Sequence, residues 1–126
     1  MLGDHPIDVV LLAMDIDAAK DFYAQKVGLT VLYDTPGAVT FECGGDSRLV
    51  ASKSSVGTHD EQTQAAFRVS DVRAEVAELR GRGVKIEEYD TPGLKTVDGI
   101  AEVGFAWMAW FIDPGKNCVG MLQAKS

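Results

Sequence analysis

The sequence predicts an α+β fold of two tandem βαβββ units. Their curved mixed sheets would surround a cleft, with the helices on the outer faces. Three observations predict it. Tyr33-Asp34-Thr35-Pro36-Gly37 recurs as Tyr89-Asp90-Thr91-Pro92-Gly93, an offset of 56 residues that also carries Asp15 onto Asp71 and Ala18 onto Ala74. Each half opens with an apolar run that gives way to helical spacing. Finally, 126 residues with 46% apolar and 25% charged composition suit one globular domain that folds without needing a disulfide or metal. The expected organisation is a single domain over residues 1–126, with repeat 1 at about 6–55 and repeat 2 at about 62–124.

In the first half, Ile7 to Met14 is a short apolar run ending at Asp15 and reads as a buried strand. Ile16, Ala19, Phe22, Tyr23 and Val27 follow at three- and four-residue steps, an apolar helix stripe opposite Asp17, Lys20, Asp21 and Lys26. Gly28 ends that helix, since glycine takes the left-handed conformation cheaply. Leu29–Tyr33, Ala38–Cys43 and Arg48–Lys53 are three strand candidates separated by Thr-Pro-Gly and Gly-Gly-Asp-Ser turns. The second half repeats the order. Ala65–Val69 is a strand, Ser70 or Asp71 caps a helix carrying Val72, Val76 and Leu79, and Gly83 stops it. Val84–Tyr89, Trp107–Ile112 and Cys118–Gln123 supply the remaining strands, the last two joined by Asp113-Pro114-Gly115-Lys116-Asn117.

The copies are not identical. Phe41 and Gly45 match Phe111 and Gly115 at an offset of 70, so the second copy carries about fourteen extra residues around Leu94–Trp107. Gly28 and Gly83 are 55 apart rather than 56, so the helix registers differ by one residue.

Charge and composition exclude several function classes. Twelve basic against nineteen acidic residues give a net charge of −7, which repels a phosphate backbone, so nucleic acid is not an expected partner. No apolar run approaches the ~20 residues of a membrane span, and Met1-Leu2-Gly3-Asp4-His5-Pro6 has no signal-peptide character. Cys43 and Cys118 lack C-x-x-C spacing and read as free thiols of a reducing compartment, so a cytoplasmic location is expected.

The duplicated βαβββ order, the Asp15-Ile16-x-x-Ala-x-x-Phe22-Tyr23 helix entry, the Val27-Gly28-Leu29 exit and the Asp113-Pro114-Gly115-x-Asn117 turn together resemble the vicinal oxygen chelate superfamily. That superfamily holds glyoxalase I, bleomycin resistance proteins, extradiol dioxygenases and methylmalonyl-CoA epimerase. The resemblance covers about residues 6–124. It implies four metal-ligand positions, one on the first and one on the last strand of each unit, usually His, Glu, His or Gln, and Glu. Carried over through the strand anchors, those positions fall on Asp8, Val50, Gln64 and Gly120. One carboxylate and one neutral amide do not make a divalent-cation site, and shifting the register by one residue adds little. No cofactor is expected, and no metal ligands are assigned.

Strand alternation gives the residues that face the cleft. Asp8, Val10 and Leu12 on the first strand, Gln64, Ala66 and Arg68 on its repeat-mate, and Cys118, Gly120 and Leu122 on the last strand share that face. Val9, Leu11, Ala65, Phe67 and Val69 face the helices. Arg68 in mid-strand requires a carboxylate such as Asp8 or an anionic ligand. Trp107 and Trp110 fall on opposite faces, so one packs under a helix and the other, taken as Trp110, is free to stack on a planar ligand or to serve packing alone. Tyr89–Gly104 has the length and glycines of a lid, with Tyr89 and Lys95 in reach of a bound group. Gly120, in place of a carboxylate, would open space at the floor. His5 and His59 sit in loops, Glu42-Cys43 ends a strand, and Cys118 has no evident activating neighbour.

The expected function is binding, and possible sequestration, of a hydrophobic or aromatic small molecule by a homodimer. The ligand-contacting set is Asp8, Leu12, Gln64, Arg68, Tyr89, Lys95, Trp110, Cys118 and Gly120. The alternative is a lyase, isomerase or dioxygenase with an atypical metal site, or with a metal-free acid/base pair drawn from Asp8, Arg68 and Tyr89. A third reading is a structural role with a filled cleft.

Overall fold

The computed structural model describes residues 1–58 and 62–125. His59 lies outside the described residues. The chain forms two compact units, Met1–Asp60 with Pro114–Asn117, and Glu61–Asp113 with Cys118–Ser126. Each contains one mixed four-stranded sheet. Among the described residues no helix is long and apolar enough to cross a membrane.

In the first unit, β1 (Asp8–Ala13), β2 (Thr30–Thr35), β3 (Ala38–Glu42) and β4 (Arg48–Lys53) assemble in the order β1-β4-β3-β2. β1 and β4 run parallel, which requires a crossover, and α1 (Ile16–Asp21) begins it. Asp15 caps α1, its carboxylate accepting from the Ala18 N–H at 3.0 Å. Leu11, Ala13, Val39, Phe41, Leu49 and Ala51 are buried on the helix side, with Ala19 and the fully buried Tyr23 above them. Tyr23 meets the Phe41 ring at 5.6 Å.

Beyond Asp21 the helix widens. Phe22–Val27 is a π-helix closed by Gly28 at φ 87°. The one-residue difference between the copies explains it: thirteen steps separate Asp15 from Gly28, but twelve separate Asp71 from Gly83. A π turn takes one more residue than an α turn, so the extra residue is absorbed without rotating Tyr23 out of the core.

In the second unit β5 (Thr63–Arg68) leads to α2 (Val72–Gly81), capped by Asp71 through the Ala74 N–H at 3.1 Å. Val72, Val76 and Leu79 are its buried stripe. Gly83, at φ 85°, ends it, with the Val84 N–H returning to the Leu79 carbonyl at 2.9 Å. Then come β6 (Asp90–Thr91), β7 (Leu94–Lys95), β8 (Ala101–Glu102), β9 (Ala106–Ile112) and β10 (Cys118–Ala124). The sheet order is β5-β10-β9-β8, again with a parallel first pair, while β6 and β7 form a separate ladder.

One strand assignment needs correction. Val84–Tyr89 was expected to be a sheet strand, yet it is irregular; Val84 and Ile86 are buried, and the Glu87 N–H donates to the Trp110 carbonyl at 2.9 Å. The extra residues of the second copy are the reason. They supply β8, which pairs with β9 through the tight Val103–Ala106 turn and takes the edge position that β2 holds in the first unit. A short-range hairpin closes with less loop entropy than a pairing from residue 89 back to the sheet. The repeated Tyr-Asp-Thr-Pro-Gly turn itself survives. Thr35 Oγ1 donates to the Ala38 carbonyl at 3.0 Å, and Thr91 Oγ1 to the Leu94 carbonyl at 3.1 Å.

Candidate functional site

Helices cover one face of each sheet, so the opposite face of each is the candidate surface. The alternation is as expected. In the first unit Asp8, Val10 and Leu12 are exposed while Leu11 and Ala13 are buried; in the second Gln64, Ala66 and Arg68 are exposed while Ala65 and Phe67 are less so.

The open face of the first unit is arranged in rows by the ladders. Asp8 lies beside Arg48, and Arg48 beside Glu42, so a cation stands between two carboxylates across three strands. The next row is Val10, Val50 and Thr40, and the third is Leu12, Ser52 and Ala38. Val10 is 58% exposed and Leu12 and Leu32 are each 39% exposed, which makes this face apolar and open beyond the charged row. A hollow of about 770 Å³ sits at the charged end, lined by Pro6, Asp8, Leu32, Glu42, Asp46 and Arg48. The Arg48 guanidinium lies over the Tyr33 ring at 5.6 Å and has no ion pair among the described residues.

On the second unit, the β9–β10 part of the corresponding face is covered by its own chain. Trp110 is 6% exposed and packs with Ala101 and Cys118 beneath Tyr89, Leu94, Val103 and Met108. Its indole N–H donates to Thr63 Oγ1 at 3.1 Å, and Tyr89 meets it edge-on at 5.6 Å. Gly120 lies directly across the ladder from Trp110. A Cβ there would fall 3.1 Å from Met108 Cε and 3.3 Å from the Trp110 indole nitrogen. The expectation that Gly120 opens space is therefore wrong: Trp110 and Met108 already occupy it. Gly120→Glu is accordingly expected to cost about 1–3 kcal/mol by overpacking, read as a lower urea midpoint at unchanged slope.

The four positions implied for a metal hold no adequate donor set. Asp8 is opposite Arg48 rather than Val50, which pairs with Val10; Gly120 is opposite Ala66, and Gln64 faces a register slip between Cys118 and Val119. Gln64 instead donates to its own Gln62 carbonyl at 3.1 Å. Among the described residues no group of three or more His, Cys, Asp or Glu side chains could hold a metal ion. The donors fit a divalent cation poorly on chemistry alone: one carboxylate beside a guanidinium, an amide, a valine and a glycine.

The remaining expectations divide. Tyr89, Trp110, Cys118 and Gly120 come together on the second unit's face, whereas Lys95 does not join them. Arg68 is exposed on β5, so the burial that would have demanded a partner is absent. The segment read as a lid is tied down. Thr96 Oγ1 donates to Glu88 at 2.8 Å and accepts from the Tyr89 N–H at 2.8 Å, and Val97 and Ile100 bridge. Cys43 is half-buried at the end of β3, and burial pushes its thiol up despite a backbone hydrogen bond at Leu49, with the Glu42 charge adding to the rise. It is protonated at neutral pH and a poor nucleophile. Sequence reasoning missed Arg48 and Tyr33. The available signal was the parallel pairing of first and last strands, which sets Arg48 beside Asp8 once the register is known.

The sequence profile of the Glyoxalase/Bleomycin resistance protein/Dioxygenase superfamily matches residues 6–117, and the chain belongs to that superfamily. Among solved structures, it is similar to TnmS3, an antibiotic binding protein from Streptomyces sp. CB03234, with 27% identity, 96% of each chain covered and a TM-score of 0.65. A glyoxalase/bleomycin resistance protein from the same Streptomyces strain also shares 27% identity, over 94% of this chain and 99% of that one, at a TM-score of 0.66. Lactoylglutathione lyase from Agrobacterium tumefaciens shares the fold at 23% identity, over 93% and 91% of the two chains, with a TM-score of 0.64. No curated protein sequence matches the chain.

Proposed function

We propose that this protein binds and sequesters an apolar or aromatic small molecule, without a resident divalent cation, as a homodimer. The observation that carries this reading is the donor set. Where metal-dependent relatives would place ligands, this chain has Asp8 beside Arg48, then Val50, Gln64 and Gly120, the last roofed by Trp110 and Met108. The exposed Val10, Leu12 and Leu32 supply an apolar surface for a ligand, and Arg48, Asp8 and Glu42 supply polar groups to orient it. The likeness to TnmS3, described as an antibiotic binding protein, supports a binding role. Of the residues expected to contact ligand, Asp8 and Leu12 are exposed on the first unit's face and Gln64 and Arg68 on the second's, whereas Trp110, Cys118 and Gly120 are buried in the second unit's packing.

The test joins metal analysis with a thermal-shift panel of planar aromatic compounds. Purified protein is expected to carry far less than one metal per chain and to melt unchanged after chelation. A true ligand at one hundred times its dissociation constant adds about 2.7 kcal/mol of stability, and mass spectrometry should recover it unaltered. A tightly held stoichiometric metal, or conversion of the bound compound, would replace this reading with an enzymatic one. Sedimentation equilibrium tests the dimer.

A further inference from the structure

A second hollow, of about 490 Å³, opens in the second unit beside β8, and of its lining Leu94 also packs against the Trp110 cluster. Trp107 and Glu102 are cross-strand neighbours facing the helix side, and Arg73 from the first turn of α2 and the β6–β7 hairpin complete the walls. Leu94 and the buried Ile100 make the rest of the lining apolar.

The charges here are unevenly satisfied. Asp98 is bonded to Arg80 at 3.1 Å, and Glu102 to Lys125 at 2.8 Å. Arg73 and Lys95 have no ion-pair partner among the described residues, and Asp90, though the ladder neighbour of Lys95, makes no ion pair with it. Both acids of the wall are thus neutralised by cations while both bases of the wall are not. In a chain of net charge −7 this spot runs against the overall field. The half-buried Trp107 ring carries the Lys125 ammonium at 5.3 Å from its centroid, and it lines the same hollow as Arg73 and Lys95, which make no ion pair among the described residues.

We propose that this hollow is a second binding site, separate from the open sheet faces, for a small aromatic anion: its ring packs against Trp107, Leu94 and Ile100, and its carboxylate or sulfonate is held by Arg73 and Lys95. Aromatic surface meeting indole and an anion meeting a guanidinium are both favourable where the wall acids are already paired. The hairpin that carries Lys95 is anchored by Thr91 and Thr96, so the site is formed before any ligand arrives.

Naphthalene-2-carboxylate is the probe, with naphthalene-2-carboxamide as its neutral counterpart, followed by the two indole N–H signals in ¹H–¹⁵N spectra of the whole chain. The carboxylate is expected to saturate with a dissociation constant of about 1 mM or tighter, moving the Trp107 signal and leaving Trp110 in place. The carboxamide should bind about tenfold more weakly, and Arg73→Gln and Lys95→Gln should each weaken the carboxylate about three- to tenfold. Lys85→Gln removes the same unit charge at an exposed position outside the hollow and should change nothing. Equal binding of carboxylate and carboxamide, a shift confined to Trp110, indifference to both substitutions, or no saturable shift would each overturn the proposal. None of those results bears on the metal analysis or on ligands of the open faces.

Discussion

Gly115→Ala is expected to cost about 3 kcal/mol or more and to leave the protein marginal at 37 °C. A Cβ at Gly115 would lie 2.2 Å from the Leu12 carbonyl oxygen, 3.0 Å from Asn117 Nδ2 and 3.3 Å from Ala13 Cα. The first and last of these are backbone atoms of β1, which cannot swing aside as a side-chain terminus can. Moving the turn outward instead would break the bond from Asn117 Nδ2 to the Leu12 carbonyl, 2.8 Å long, and that from the Thr58 N–H to the Gly115 carbonyl at 3.3 Å. Asn117 is 1% exposed, so its polar atoms would lose partners where water cannot replace them. The repeat-mate provides an internal control. Gly45 has no atom within 4 Å of its would-be Cβ, although its φ is +63°. Gly45→Ala should therefore cost only about 1 kcal/mol, from the left-handed backbone alone. Urea unfolding of the two variants side by side decides the matter, and equal losses would contradict the steric account.

Trp110→Ala is the second large effect, about 3–5 kcal/mol. Trp110 is almost wholly buried, spans the flat surface of Gly120, meets Tyr89 edge-on and donates to Thr63. Truncation leaves a cavity that Met108 alone cannot refill and strips the support from beneath Tyr89. Trp110→Phe retains much of the ring and loses the indole N–H, so it should fall between, at about 1–2 kcal/mol. A loss under 1 kcal/mol for the alanine variant would mean that Trp110 is a free stacking surface rather than a packed one.

The parts of the fold written in local chemistry were legible in the sequence. Asp15 and Asp71 cap their helices through Ala18 and Ala74, the pairs that the 56-residue offset had aligned. The offset of 70 is visible in the backbone as well, where Asp46 and its mate Lys116 both have positive φ, 62° and 66°. The parity of β1, β5 and β10 followed from alternation alone. Partner choice between strands was not legible. Nothing in Val84–Tyr89 says that β8, arriving later from the extra residues, takes the edge of the sheet. The site suffered from the same blindness. Counting along single strands found Asp8 but not Arg48, because their adjacency is a property of register between distant segments. Gly120 was read as empty space, because a glycine in sequence does not reveal which large neighbour lies over it.

The four residues Pro114–Asn117 belong to the first unit, although the chain reaches them only after nearly all of the second has been laid down. As the ribosome releases this polypeptide, the amino-terminal sheet must wait for Asn117 before the Leu12 carbonyl finds its partner. Separate expression of the two halves would divide that plug from its socket. Completion of that contact thus waits until most of the second half has been made, which links two modules that each look self-sufficient on paper.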